Sequence, residues 1–79
     1  MAKADLLFAD RHGDQLPLGC IELYVADLYC PIVFAPRDTE LDKNLPSGRR
    51  IVEVDLKDEH WPAGFDKTEW RAYRTEFVV

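Results

Sequence analysis

The side chains best suited to chemistry lie in a short run near the amino end, where Asp10, His12 and Asp14 alternate with other residues. Carboxylates and imidazoles are ligands that zinc accepts, so these three residues are candidates for part of a metal site. A catalytic zinc site needs at least three protein ligands, and the remaining candidates show no metal-ligand spacing: Cys20, Cys30 and His60. We therefore expect residues 10–14 to form a solvated turn, with no metal and no cofactor.

Nucleophilic catalysis has equally few candidates. Ser47 is the only serine, and it lies in Pro46-Ser47-Gly48 without a nucleophile-elbow pattern. Pairing one of the two cysteines with one of the two histidines would be a chance combination. Thiols at apolar strand positions also tend toward raised pKa values and low reactivity. The sequence therefore predicts a protein that is not an enzyme.

The two cysteines also bear on the cellular compartment. Residues 1–5 hold one lysine followed closely by an acid, which is not typical of a signal peptide. Without a secretory signal, Cys20 and Cys30 are expected to be reduced thiols. The longest apolar run, residues 20–35, cannot span a bilayer as a helix because three residues interrupt it: Glu22, Asp27 and Pro31. We expect a cytoplasmic protein with no membrane contact.

The charge balance limits the kinds of partner. Fifteen acids oppose ten lysines and arginines, which gives a net charge of −5. Such a charge opposes direct binding to nucleic acid through long-range repulsion. The only local cluster of bases lies in residues 37–50, and we expect it to balance the acids of the same segment: Asp38, Glu40 and Asp42.

Residues 1–79 are long enough for a single domain. Apolar and β-branched patterns predict strands over residues 4–9, 18–25, 29–35 and 51–57. Residues 36–50 are predicted to be a long loop, in which residues 39–42 form one or two helical turns.

The last segment carries signals for both a helix and a strand. Asp66 and Glu69 have the spacing of a capping box, and Phe65 and Trp70 have the spacing of a hydrophobic staple. These signals favour a helix over residues 67–76. The alternative is a terminal strand, because the same segment is aromatic, β-branched and alternating.

The predicted fold class follows from this choice. A helix over residues 67–76 gives an α+β fold, with a small antiparallel sheet of three to four strands and a C-terminal helix. The alternative is an all-β fold with a C-terminal strand.

The predicted strand 51–57 has a clear alternation. Its apolar residues, Val52, Val54 and Leu56, are expected to face the core, and its charged residues are expected to face solvent or a partner: Glu53, Asp55 and Lys57.

The charged positions of this strand begin a row of carboxylates. Glu53 and Asp55 would lie about 6.6–6.8 Å apart at strand rise. Such a row is complementary to the Lys/Arg groove of a nucleic-acid-binding protein. Trp61 is either an anchor for a partner or a cap on the core. The candidate partner-binding residues are Glu53, Asp55, Asp58, Glu59, Trp61, Asp66 and Glu69.

In its overall profile the chain resembles phage-encoded inhibitors, in particular the anti-CRISPR proteins. The shared features are a short, acidic, single-domain chain without an active site, and the resemblance covers the whole chain without a motif. It implies a stoichiometric inhibitor in the host cytosol that blocks the DNA-binding groove of a CRISPR effector complex. Its first contacts would be Glu53, Asp55, Asp58 and Glu59. The alternative is a small structural or accessory subunit, which could be a homodimer.

Overall fold

The computed structural model describes residues 8–25 and 28–78, which form strands, connections and one short 3-10 turn. The elements, in chain order, are β1 (Phe8–Ala9), β2 (Gln15–Leu16), β3 (Ile21–Leu23), β4 (Ile32–Pro36), β5 (Arg49–Glu53), the 3-10 turn (Asp58–His60) and β6 (Trp70–Phe77).

The strands form two antiparallel sheets. β1 and β2 make a small hairpin, and the other four strands form a sheet in the order β3-β4-β6-β5. β6 pairs with β4 along one edge, where Phe34 faces Ala72, and with β5 along the other, where Ile51 faces Thr75. The last strand in sequence is therefore an inner strand of the sheet.

Both sides of the four-stranded sheet are covered, because successive residues of a strand point to opposite sides. We call one side the hairpin side, since the hairpin residue Leu16 packs there against a buried cluster: Cys20, Val33, Ala35, Leu45, Ile51 and Tyr73. The other is the loop side, where residues of the β5–β6 connection pack on a second buried cluster: Val25, Ile32, Phe34 and Ala72.

The predicted α+β class is wrong, since the described residues contain no helix beyond the 3-10 turn and the fold is all-β. The predicted helix over residues 67–76 is instead mostly strand β6. The local signals for a helix start do form contacts: Asp66 Oδ1 accepts the Thr68 N–H at 2.9 Å. Phe65 also packs on Trp70, with ring centroids 4.7 Å apart. They make a turn, because β pairing on both edges outweighs the continuation of a helix.

The predicted strand 51–57 is shifted, since β5 begins at Arg49 and ends at Glu53. The expected alternation of exposure is nevertheless present over residues 52–57, with half-buried apolar residues and exposed charged ones. Ile51, which precedes these residues on the side opposite to Val52, is only 1% exposed, so that side of β5 is covered at Ile51 and open from Glu53 onward. The helical turns predicted at residues 39–42 are absent.

Two turns depend on glycine. Gly13, in the turn between β1 and β2, has φ +84°, and Gly48, directly before β5, has φ +83°. Other residues rarely adopt this left-handed conformation. The predicted turn at residues 10–14 is thus confirmed. Of the strand predicted at 4–9, residues 4–7 lie outside the described residues.

Two further properties concern thiols and membranes. Cys20 is buried and Cys30 half-buried, and both are free, as predicted. Burial raises the pKa of the Cys20 thiol. Within the described part of the chain, no helix has the length and apolar character needed to cross a membrane.

Candidate functional site

The predicted partner-binding residues all lie in residues 53–69, which we call the acidic segment. This segment contains six carboxylates and two lysines. It includes the last residue of β5, the 3-10 turn and the whole connection to β6. The structure therefore places Glu53 at the end of β5 and the other six residues on the connection that follows, and none of them on an α-helix.

Aromatic packing fixes the acidic segment to the loop side of the sheet. The Trp61 ring lies 5.5 Å from the buried Phe34 ring, and the Phe65 ring stacks on Phe34 at 5.0 Å. The Trp61 indole also donates a hydrogen bond from Nε1 to the carbonyl oxygen of Leu56 at 3.1 Å. These contacts hold the middle of the segment on the core, so its backbone has a defined position.

Trp61 is half-buried. Part of its ring caps the core through Phe34, and the rest remains accessible at the surface. The two alternatives drawn from the sequence, an anchor and a cap, are therefore both compatible with its position.

The six carboxylates of the acidic segment are exposed: Glu53, Asp55, Asp58, Glu59, Asp66 and Glu69. Asp58 forms an ion pair with Lys67 at 2.6 Å, and both side chains are more than half exposed. The hydrogen bond and charge of Asp58 raise the pKa of Lys67, with smaller contributions from Asp66 and Asp55. Lys67 is thus paired directly with Asp58 and feels the charges of Asp66 and Asp55 more weakly.

Two arginines also approach the acidic segment. Arg71 and Arg37 line the same small surface cavity as Glu53 and Asp55. Arg37 is already engaged, because its Nη2 donates to the carbonyl oxygen of Lys67 at 2.8 Å. The negative field of the segment is therefore reduced by neighbouring cations but not cancelled.

A hydrogen bond within the segment shapes the approach to β6. The Asp66 carboxylate accepts the Thr68 backbone N–H, and this bond lowers the pKa of Asp66. Asp66 thus has a structural role in the turn in addition to its exposed charge.

The structure also contains an ionic cluster on the hairpin side that sequence reasoning missed. Arg49 is 3% exposed and contacts the carboxylates of Asp10 and Asp14, which are also buried. Its Nε and Nη2 donate to Asp14 Oδ2 at 2.9 and 2.6 Å, and its Nη2 donates to Asp10 Oδ2. Arg49 also donates to the Thr75 hydroxyl. We call Asp10, Asp14 and Arg49 the buried ionic cluster.

Each carboxylate of this cluster has further donors. Asp10 Oδ1 accepts the backbone N–H groups of His12 and Asp14 at 2.9 and 3.0 Å. The Ser47 hydroxyl donates to Asp14 Oδ2 at 2.8 Å. Burial raises the pKa of Asp14, but the hydrogen bonds from Ser47 and Arg49 and the charge of Arg49 outweigh it, so the pKa lies below its usual value. Asp14 is therefore held as a carboxylate.

This geometry corrects two interpretations. The turn at residues 10–14 is not fully solvated, since Asp10 and Asp14 are buried. Arg49 does not balance acids of the segment 37–50, because it pairs with Asp10 and Asp14, and Arg50 pairs with Glu76 instead. The only sign of the buried ionic cluster in the sequence is the presence of two acids four residues apart, Asp10 and Asp14. This spacing does not identify Arg49 as their partner.

The described residues contain no group of three or more His, Cys, Asp or Glu side chains arranged to hold a metal. The Asp10 and Asp14 oxygens that such a site would use accept hydrogen bonds from Arg49. The Ser47 hydroxyl is likewise engaged with Asp14, so it acts as a structural donor in this arrangement.

Comparisons of the chain with protein-family models, with curated proteins and with solved structures found no match.

Proposed function

We propose that the chain is a non-enzymatic inhibitor that uses the acidic segment to bind the basic DNA-binding groove of a nucleic-acid-handling complex of the CRISPR effector type. The observation that carries this proposal is a connection that is longer than its topology requires, packed on the core and lined with exposed carboxylates.

The length of the connection is the first argument. β5 and β6 are antiparallel neighbours, and such strands are commonly joined by about two to five residues. Here they are joined by residues 54–69. Long ordered connections in small domains are disproportionately functional. The extra residues supply exposed carboxylates, which the sheet itself does not need.

The aromatic packing is the second argument. Because Trp61 and Phe65 pack on Phe34, the carboxylates on either side of them are presented from a fixed backbone. A surface that is ordered before binding loses less conformational entropy on association.

The charge is the third argument. The segment contains six carboxylates and only two lysines. Among the described residues, Asp58 is the only one of these six acids that forms an ion pair with a lysine. An exposed negative surface is complementary to a groove that evolved to bind phosphates, and such complementarity increases the association rate.

The test uses purified CRISPR effector complexes of several types, each loaded with its guide, and a labelled target duplex. We expect the protein to block duplex binding to at least one complex at a stoichiometric end point, without turnover. Glu53→Lys/Glu59→Lys should weaken this inhibition at least tenfold, and the effect of the wild-type protein should decline as salt rises.

The matched control is Asp38→Lys/Glu40→Lys, which changes the net charge equally at two exposed acids outside the segment. Equal loss for both variants would show a non-specific charge effect and contradict the assigned surface. Failure to inhibit any complex would overturn the proposal. If the protein inhibits no complex and sedimentation shows a dimer at both low and high salt, the alternative of a small structural or accessory subunit would be supported.

A further inference from the structure

A second feature of the loop side is a surface cavity of about 440 Å³ between residues 28–32 and residues 54–60. Its volume lies in the range of about 300–1,000 Å³ that is usual for sites of small molecules. Its floor is apolar and consists of Leu28, Ile32, Val54 and Leu56. These residues belong to the packed loop side of the sheet, so the floor is part of the core.

The rim of this cavity is basic, in contrast to the chain as a whole. Two cations, Lys57 and Arg74, line it beside the imidazole of His60, and Asp55 is the carboxylate among its lining residues. The net charge of the chain is −5, so a cavity with more bases than acids departs from the average surface.

The charges on the rim are only partly engaged. Arg74 lies 3.4 Å from Glu76. Lys57 forms no ion pair with any other residue that the structure describes. A bound anion would therefore gain Lys57 without breaking an existing pair, and it would share Arg74 with Glu76.

Tyr29 is the last feature of the cavity. It lines the opening and is 104% exposed, so its ring has almost no contact with the rest of the described chain. An aromatic side chain normally buries a large part of its surface. A ligand seated on the apolar floor could cover this ring.

We propose that this cavity binds a small amphiphilic carboxylate, with its hydrocarbon part on the apolar floor and its carboxylate beside Lys57 and Arg74. The combination of an apolar floor and a basic rim distinguishes this ligand class from neutral and cationic amphiphiles, which would lose the charge contact. The cavity shares Asp55 and Lys57 with the acidic segment. Its ligand chemistry is nevertheless different, and neither proposal depends on the other.

The first experiment compares three probes of equal chain length, octanoate, 1-octanol and octylammonium, by calorimetry and by amide chemical shifts of the full chain. Octanoate should bind saturably, at least tenfold more tightly than octylammonium, with the largest shifts in residues 28–32 and 54–60. Equal binding of the three probes, shifts elsewhere, or no saturable octanoate binding would overturn the proposal.

The second experiment compares two variants with the same change in net charge. Lys57→Gln/Arg74→Gln should weaken octanoate binding at least tenfold. Arg37→Gln/Lys43→Gln should change it less than twofold, since both side chains are exposed and neither lines the cavity. Equal weakening in the two variants would contradict a site at this rim. Because both sets of residues are exposed, the fold should persist, and the amide spectrum of each variant checks this.

Discussion

The two sides of the sheet are stabilised by different kinds of contact. The hairpin side contains a buried arginine between two carboxylates, whereas the loop side contains a buried phenylalanine between two aromatic rings. The first arrangement depends on the direction of the Arg49 hydrogen bonds and on the balance of charge, since two carboxylates share one guanidinium. The second depends mainly on contact area and tolerates small displacements.

This difference indicates a division of roles. A buried ion pair contributes little net free energy, because desolvation offsets the attraction, yet removal of one partner is strongly destabilising. We infer that the aromatic packing supplies more of the folding free energy, and that the ionic cluster fixes how the β1–β2 turn and β5 meet. Four predictions of changes in folding stability test this difference between the two sides of the sheet.

The largest effect is expected for Arg49→Met. This variant leaves the Asp10 and Asp14 carboxylates buried without their cation, which should lower the free energy of unfolding by about 3–5 kcal/mol. Urea denaturation measures it. The control Arg50→Met removes an exposed arginine and should cost less than about 1 kcal/mol. Adding Asp10→Asn and Asp14→Asn to Arg49→Met should recover part of the loss, and no recovery would contradict the electrostatic cause.

A smaller loss is expected for Phe34→Leu on the loop side. Phe34 contacts the rings of Trp61 and Phe65, and each aromatic pair contributes about 0.5–1.5 kcal/mol beyond area burial, so the loss should be about 1–3 kcal/mol. Thermal unfolding at pH 5 and pH 8 measures it. The loss should be the same at both pH values, because no charge is involved, and a strong pH dependence would contradict this.

The pH dependence of stability should reflect the hairpin side. The folded-state pKa of Asp14 lies below its unfolded value, so the folded state is stabilised above the unfolded pKa, and this contribution is lost as pH falls through the folded pKa. Denaturation midpoints should be nearly constant above about pH 5 and fall below about pH 4. Asp14→Asn should flatten this decline. Asp66, whose pKa is also lowered, contributes in the same direction, and Asp66→Asn measures its share.

The smallest effect is expected for Glu76→Gln. Glu76 lies 3.2 Å from Arg50 and 3.4 Å from Arg74, and all three side chains are about one-third to one-half exposed. Solvent screens such pairs, so the free energy of unfolding should fall by less than about 1 kcal/mol. Chemical denaturation at low and high salt checks this, and a loss comparable to that of Arg49→Met would erase the distinction between exposed and buried charge.

The sequence predicted local features, such as exposure patterns and turns, better than the pairing of segments that are distant along the chain. The exposure of residues 52–57 and the contact between Phe65 and Trp70 follow from spacing within a few positions, and spacing is visible in a sequence. The helix predicted at 67–76 failed because the strand alternative is decided by pairing with β4 and β5, and those partners are distant in sequence. Arg49 was missed for the same reason, since it lies far along the chain from Asp10 and Asp14.

The inner position of β6 has a consequence for the order of assembly. β4 and β5 do not pair with each other: β4 pairs with β3 along one edge, and β4 and β5 are joined in one sheet only through residues 70–77. During synthesis a ribosome releases β4 and β5 first, so the four-stranded sheet cannot close until the segment carrying β6 has emerged. Apolar residues such as Val33 and Ile51 remain without their final neighbours until then, and nascent chains stalled before residue 70 should be the form most prone to aggregate.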